Sequence, residues 1–236
     1  MKMSKMGKKI AVDVYSLQMK WVAWYLPIVY MAYFILVWFL NEPEIQSLSL
    51  LTFTFQTATI FMLVCGILSS TVFLPVFVKH GVTRKSYFQG ALISSICLVS
   101  TIIGLTAIFS WVLSLFEMNM FKDVVLSALG ENSWLLTIFT YFLSVMIYYS
   151  VGWLIGTAFY RYGGSGGFMS IVVSLIIISF NDLLWEFRTP KPFMGLLHVN
   201  IPTPHIAIAL IGSIAIAILS TIFVHKMVKD TPIKVA

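Results

Sequence analysis

Six runs of about 20 or more mostly apolar residues follow one another along the chain, and they limit the folds open to it. A helix needs about 20 such residues to cross a bilayer, and uninterrupted runs favour helices over membrane strands, in which apolar and polar residues alternate. Charged residues make up only 10% of the chain, against about a quarter in soluble domains. We therefore expect an all-α membrane protein, a single transmembrane domain over residues 1–236 with six transmembrane helices. The predicted spans are 21–40, 50–78, 91–113, 134–160, 168–187 and 205–224.

Basic residues are distributed unevenly between the two sides that six spans create. Twelve of the 15 Lys and Arg residues share one side with both termini, leaving Lys122, Arg188 and Lys191 opposite. Cytoplasmic loops of membrane proteins carry the excess of Lys and Arg, so both termini are predicted to be cytoplasmic. The net charge of +6 follows from this topology, and a nucleic-acid partner is unnecessary.

The segment ahead of the first span has its own apolar periodicity. Ile10, Val14, Leu17, Trp21 and Trp24 recur at spacings of four and three, which places them on one stripe of a helix. The stripe predicts an amphipathic helix over residues 1–20 that lies on the inner membrane surface. The alternative is a simple basic flank preceding a span.

A basic loop interrupts the apolar runs at residues 79–90, which read KHGVTRKSYFQG. Gly81 can end the preceding helix in a left-handed cap, and Thr83 can cap a new helical turn. Residues 84–89 are then predicted to form a short helix across the membrane surface that stops at Gly90. That helix would present the adjacent aromatics Tyr87 and Phe88 beside Arg84 and Lys85. Positive charge alone would be enough to orient the chain in the membrane, so the two adjacent aromatics indicate a docking surface.

The spans carry few groups capable of chemistry. Their central portions hold almost no Asp, Glu, Lys, Arg or His, which argues against proton relays and ion coupling. We find no catalytic residues, since no nucleophile–base pair stands at a usable spacing, and the scattered histidines predict no metal site. The sequence GGSGG after Arg161 lacks the Lys of a phosphate-binding loop, so it is expected to be a flexible inner turn and the chain to have no ATP site of its own.

Weaker polar features remain inside the spans, and each has two interpretations. Small residues recur four apart in the pairs Ser100 and Gly104, Gly152 and Gly156, and Ala209 and Ser213, a pattern typical of helix packing. Polar faces on spans two and five either pack or line a pathway. The pathway candidates are Gln56, Thr59, Ser70, Ser170, Ser174 and Asn181. Charged residues and a Trp lie where span five meets a proline-containing outer segment, 181–204. They predict an outer gate or an interfacial anchor, formed by Asp182, Trp185, Glu186 and Arg188.

The loop sequence KHGVTRKSYFQGAL resembles the inner loop between the second and third helices of bacterial ABC-2-type transporter permeases, which follows the pattern G-[VI]-[ST]-R-K-x-[FY]-F-x-G. The matching residues are Gly81, Val82, Thr83, Arg84, Lys85, Tyr87, Phe88 and Gly90. The predicted topology is also similar to that family's: an inner amphipathic helix, six spans, inner termini, and an outer excursion between spans five and six.

The resemblance implies the membrane half of an exporter. In that family the inner loop is a coupling helix that docks on a separate cytoplasmic ABC ATPase, so ATP and Mg would belong to the partner and no cofactor to this chain. It also implies a second permease, identical or paralogous, in a bacterial plasma membrane. Small permeases of this kind export peptides or confer immunity to them, and an amphipathic peptide, a lipid or a hydrophobic drug would suit the spans. The alternatives are a non-enzymatic membrane channel and a stand-alone immunity protein.

Overall fold

The computed structural model describes residues 5–39, 49–114, 134–185 and 206–229, and these are almost entirely helical. The elements are α1 (Lys5–Phe39), α2 (Leu50–Leu68), a π-helical turn (Ser69–Phe73), α3 (Leu74–Lys79), α4 (Arg84–Ser114), α5 (Trp134–Trp185) and α6 (Ile206–Lys229). Within the described residues no strand occurs, and five helical stretches are long and apolar enough to cross a membrane. The prediction of an all-α fold rich in membrane helices is confirmed.

Helix α1 is one continuous helix, which corrects the prediction of a separate surface helix over residues 1–20. Nothing in the sequence around Lys20 breaks a helix, and the first proline, Pro27, lies deep inside the apolar run. The residues of the predicted apolar stripe also do not share one environment. Ile10 and Val14 are buried, whereas Leu17, Trp21 and Trp24 are exposed on the outside of the bundle.

Helix α5 runs over 52 residues but is broken at Gly163, whose φ of 72° lies in the left-handed region that glycine tolerates. Two arms, 134–162 and 164–185, meet at this point. The amide of Asn181 donates a hydrogen bond of 3.3 Å to Ser144 Oγ, although these residues lie 18 positions after and 19 before the break. The arms therefore fold back on each other as an antiparallel hairpin. The reversal falls in the predicted turn, but it is confined to Gly163, because residues 164–167 are already helical.

The first arm of α5 is the centre of the bundle, and glycines bring α2 against it. A Cβ atom on Gly152 would overlap the carbonyl oxygen of Leu63, and one on Gly156 would lie 2.6 Å from the carbonyl oxygen of Ile67. Gly66 faces the same arm equally closely. The packing interpretation of the Gly152 and Gly156 pair is thus confirmed, since only hydrogen side chains allow this approach.

The other small-residue pairs differ from one another. Ala209 and Ser213 of α6 are buried, in agreement with packing. Ser100 is exposed, and a Cβ on Gly104 would meet no atom within 4 Å, so this pair does not serve as a packing site within the described residues. Spacing alone cannot tell which face of an all-apolar helix meets a neighbour.

The π turn between α2 and α3 has an identifiable cause in Pro75. A proline in an α-helix lacks the N–H that its i−4 carbonyl needs, and its ring crowds that carbonyl. In a regular α-helix the N–H of Leu74, the residue before this proline, would bond to the carbonyl of Ser70. Here it bonds to the carbonyl of Ser69, five residues back. The hydroxyls of Ser70 and Thr71 both donate to the carbonyl of Ile67, at 3.0 and 2.9 Å. Hydroxyl groups thus satisfy backbone polarity next to the irregular turn, as lipid surroundings require.

Candidate functional site

The segment from Lys79 to Lys85, called here the basic turn, joins α3 to α4 through two caps. The N–H of Gly81 bonds to the carbonyl of Val78 at 2.9 Å, and the N–H of Val82 bonds to the carbonyl of Phe77 at 3.1 Å. Gly81 has a φ of 83°. These bonds form the Schellman arrangement, in which the apolar residue after the glycine packs back on the helix end, as buried Val82 does. The predicted left-handed cap at Gly81 is confirmed.

Thr83 begins the next helix. Its Oγ1 accepts a hydrogen bond of 3.2 Å from the N–H of Ser86, and its carbonyl accepts one of 2.9 Å from the N–H of Tyr87. This is the N-cap geometry predicted for Thr83, with the hydroxyl satisfying one of the free N–H groups of the first turn. Caps at both ends give the basic turn a fixed shape.

The helix that begins at Arg84 does not stop at Gly90, and this corrects the prediction of a short surface helix over 84–89. Helix α4 continues to Ser114. Gly90 is buried where α4 meets α1: a Cβ atom there would lie 2.8 Å from Cβ of Ile10 and 2.9 Å from the carbonyl oxygen of Gly7. Gly90 is therefore a close-approach residue, and its lack of a side chain serves packing instead of helix termination.

Tyr87 and Phe88 are buried inside the bundle, and this corrects their prediction as exposed docking anchors. The Tyr87 ring lies 5.7 Å from Phe77, and its hydroxyl donates to the carbonyl of Ser69. Phe88 stacks on Trp153 at 5.0 Å and contacts the ring of His225 at 4.5 Å. Both aromatics attach the basic turn to the helices behind it.

Charge, in contrast, remains on the surface of the basic turn. Lys79, Thr83 and Lys85 are exposed. Arg84 is half-buried, because its guanidinium donates a 3.0 Å hydrogen bond to the carbonyl of Lys229 at the end of α6. A cation at a helix C-terminus satisfies a free carbonyl and opposes the helix dipole, so Arg84 braces α6 and is only partly available to a partner.

One end of the bundle thus collects three chain segments and their charges. The start of α1 meets α4 at Gly90, and the end of α6 meets the basic turn at Arg84. Exposed lysines from all three segments are therefore concentrated there: Lys8, Lys9, Lys79, Lys85, Lys226 and Lys229. The clustering of basic residues at one end agrees with the pattern in the sequence.

Behind the basic turn, four fully buried side chains form what we call the polar node: Gln18, Ser69, Tyr87 and Tyr149. Ser69 Oγ lies 2.7 Å from the Tyr149 hydroxyl and accepts a 3.5 Å bond from the Gln18 amide. Its carbonyl accepts the bond from Tyr87. The node joins α1, the π turn, α4 and α5 at one point.

The pathway candidates differ in their exposure and in their hydrogen bonds. Thr59, Ser70 and Ser170 are buried and donate to carbonyls of their own helices. Ser174 is buried and has no hydrogen-bond partner among the described residues. Gln56 is exposed on the outside of α2. Backbone bonding within a helix is an ordinary way to bury a hydroxyl, so these contacts favour packing for the three donors.

Asn181, the sixth pathway candidate, belongs to a polar cluster that joins both arms of α5 to α6. Ser213 Oγ donates to its amide oxygen at 3.1 Å, and the indole N–H of Trp185 donates to Ser213 at 2.6 Å. Asp182 lies beside this cluster and is half-buried. Trp185 and Asp182 are predicted to belong to an outer gate or an interfacial anchor, and in the structure Trp185 joins α5 to α6 through Ser213. Glu186, Arg188 and the segment 186–204 of the predicted outer excursion lie outside the described residues.

Several of these residues escaped the sequence reasoning. Gln18 carried a usable signal, because it occupies the apolar stripe between Val14 and Val22 at spacings of four. Ser69 and Tyr149 carried none, since hydroxyls are common in membrane spans and their pairing depends on the crossing of distant helices.

None of the comparisons with protein-family models, with curated proteins and with solved structures gives a match.

Proposed function

We propose that this chain is the permease subunit of an ATP-driven exporter, in which the basic turn receives force from a separate cytoplasmic ATPase. The chain crosses the bacterial plasma membrane six times, with both termini and the basic turn inside. Each arm of α5 exceeds the ~20 residues that a crossing requires, so the folded helix supplies two of the six crossings. A second permease completes the membrane half, and ATP and Mg belong to the partner.

The observation that carries the proposal is the construction of the basic turn. It is capped on both sides, exposes cationic groups, and is rooted by Tyr87 and Phe88 in contacts with the π turn, α5 and α6. A surface that only needed positive charge to orient the chain would not require this rigid attachment. The arrangement suits a lever, in which displacement of the turn moves several membrane helices together.

The roles of the loop residues follow from where their side chains lie. Lys85 and Thr83 are exposed and available to an acidic groove on the ATPase. Gly81 permits the tight reversal, and Arg84 ties the turn to the end of α6. Tyr87 and Phe88 transmit displacement and do not touch the partner.

The substrate class we propose is an amphipathic or hydrophobic molecule, with a peptide as the favoured case. The support is chemical: the described spans hold hydroxyls, amides and aromatics but almost no charge. Such surfaces offer hydrogen bonds and apolar contact without the strong fields that ion-coupled carriers need.

The test is binding to ATP-binding chains co-expressed with the permease. We expect Lys85→Glu to weaken co-purification and to lower the association rate by roughly tenfold, because it reverses a charge at the proposed joint. The matched control is Lys226→Glu, which reverses an exposed lysine at the same end of the bundle but outside the turn. Equal behaviour of both variants and the parent protein, or no ATP-binding chain in any of them, would favour a channel or a stand-alone immunity protein.

A further inference from the structure

The π turn Ser69–Phe73 is an irregular backbone segment at the point where α1, α4 and α5 converge on the polar node. π turns within α-helices occur often at functional positions, because they hold one residue more than an α-turn and can release it. Here the extra residue stands between a long helix, α2, and a short one, α3, that carries the basic turn.

The two helices flanking the π turn are held with unequal strength. Gly66 and Gly152 bring the backbones of α2 and α5 so close that a Cβ atom on either glycine would overlap the backbone of the other helix. In α3 only Leu74 is fully buried, while Val76 and Lys79 are exposed. A change in the π turn would therefore move α3 and leave α2 in place.

We propose that the π turn is a two-register switch that tightens into an α-helical turn and thereby rotates α3 and the basic turn. Removing one residue from the wide turn rotates the following helix by about 100° and shifts it by about 1.5 Å along its axis. The carbonyl of Ser69 then exchanges the N–H of Leu74 for that of Phe73. The Tyr87 hydroxyl, which holds the same carbonyl in the π register, is released.

Opposing effects bring the two registers near each other in energy. Pro75 favours the π register, because in the α register it would face the carbonyl of Thr71 without an N–H to offer. The poorer hydrogen-bond geometry of a π turn favours the α register.

The inference rests on the proposed function only for its trigger, a pull by the ATPase on the basic turn. The switch itself is a property of the permease chain and can be measured without a partner. A permease that switches but binds no ATPase would refute the proposed function alone, and one that binds an ATPase but has a rigid π turn would refute the switch alone.

The experiment measures distances between spin labels by double electron–electron resonance. Cys65 and Cys97 are first replaced by Ala, and labels are placed at exposed Val76 on α3 and exposed Ile218 on α6. We expect two distances between these labels, one for each register. Tyr87→Phe should raise the population of the second distance relative to the first by about fivefold, the change expected for one net hydrogen bond. Pro75→Ala, which removes the ring and supplies an N–H, should act in the same direction.

Two controls separate the switch from general loosening. A label pair at Val64 on α2 and Ile218 should keep a single distance in every variant, because α2 does not move. Tyr25→Phe removes another bonded hydroxyl, 2.8 Å from Thr57, and should leave the populations of the distances between Val76 and Ile218 as they are in the parent protein. Distance populations that stay the same as in the parent protein for both Tyr87→Phe and Pro75→Ala would overturn the proposal. If Tyr87→Phe does not fold, Pro75→Ala at its half-buried position decides alone.

Discussion

At the scale of single residues, Gly152 shows how one missing side chain sets the distance between helices. Its replacement by Ala would push a methyl group into the carbonyl of Leu63 and should destabilise the protein by about 1–3 kcal/mol, as overpacking of a fixed site does. The matched variant Gly104→Ala meets no atom within 4 Å and should unfold at the parent temperature or slightly above it. Thermal unfolding in detergent checks both, and equal melting temperatures would contradict the close crossing.

Gly81 provides a second residue-scale prediction, and here the constraint is backbone conformation instead of space. Its left-handed φ should make Gly81→Ala unfavourable by about 1–2 kcal/mol, although nothing lies within 4 Å of the added methyl. Gly81→Asn should be milder, because Asn tolerates this region. Thermal unfolding of both variants tests the order, and an Ala variant as stable as the parent would show that the turn adopts another conformation.

Residue-level reasoning from the sequence succeeded where the cause is local. The caps at Gly81 and Thr83 depend on neighbours within four residues, so their spacing was sufficient to predict them. The burial of Tyr87 and Phe88 depends on Ser69, Trp153 and His225, which are far away in the sequence. In a chain where nearly every face is apolar, hydrophobic periodicity does not say which side meets the protein and which meets lipid.

At the scale of helices, the hairpin of α5 and its contact with α6 depend on the amide of Asn181. Replacing Asn181 by Leu removes its bonds to Ser144 and Ser213 and should destabilise the protein by about 1–3 kcal/mol. The control Gln56→Leu changes a similar amide that is exposed on α2 and should have little effect on unfolding. Similar losses in both variants would argue against a specific role for the buried cluster.

Helix existence was predictable, but helix boundaries were less so. Long apolar runs were sufficient to place every described helix, and the glycines after Arg161 marked the reversal in α5. The continuity of α1 was missed because an amphipathic stripe and an apolar span were treated as separate helices, although no breaker stands between them. The π turn could not be predicted, since Pro75 by itself is equally compatible with a kink.

At the scale of the whole molecule, the six proposed crossings make a prediction about sidedness. After removal of the native cysteines, Cys introduced at exposed Lys85 and Ser165 should react only with reagents that reach the cytoplasm. A Cys at exposed Trp134, on the far end of the first arm of α5, should react from outside. Reaction of Ser165→Cys and Trp134→Cys from the same side would show that this arm does not cross the membrane.

The central claim is that the basic turn contacts an ATPase, and site-specific photocrosslinking tests it most directly. A photoreactive amino acid at Lys85 should crosslink the permease to an ATP-binding chain in intact cells. The same amino acid at Met169, which is exposed on the second arm of α5, should give no such product. An ATP-binding chain crosslinked from Lys85 alone is the result that the account predicts. Its absence from Lys85, with the permease inserted and folded, would contradict the account.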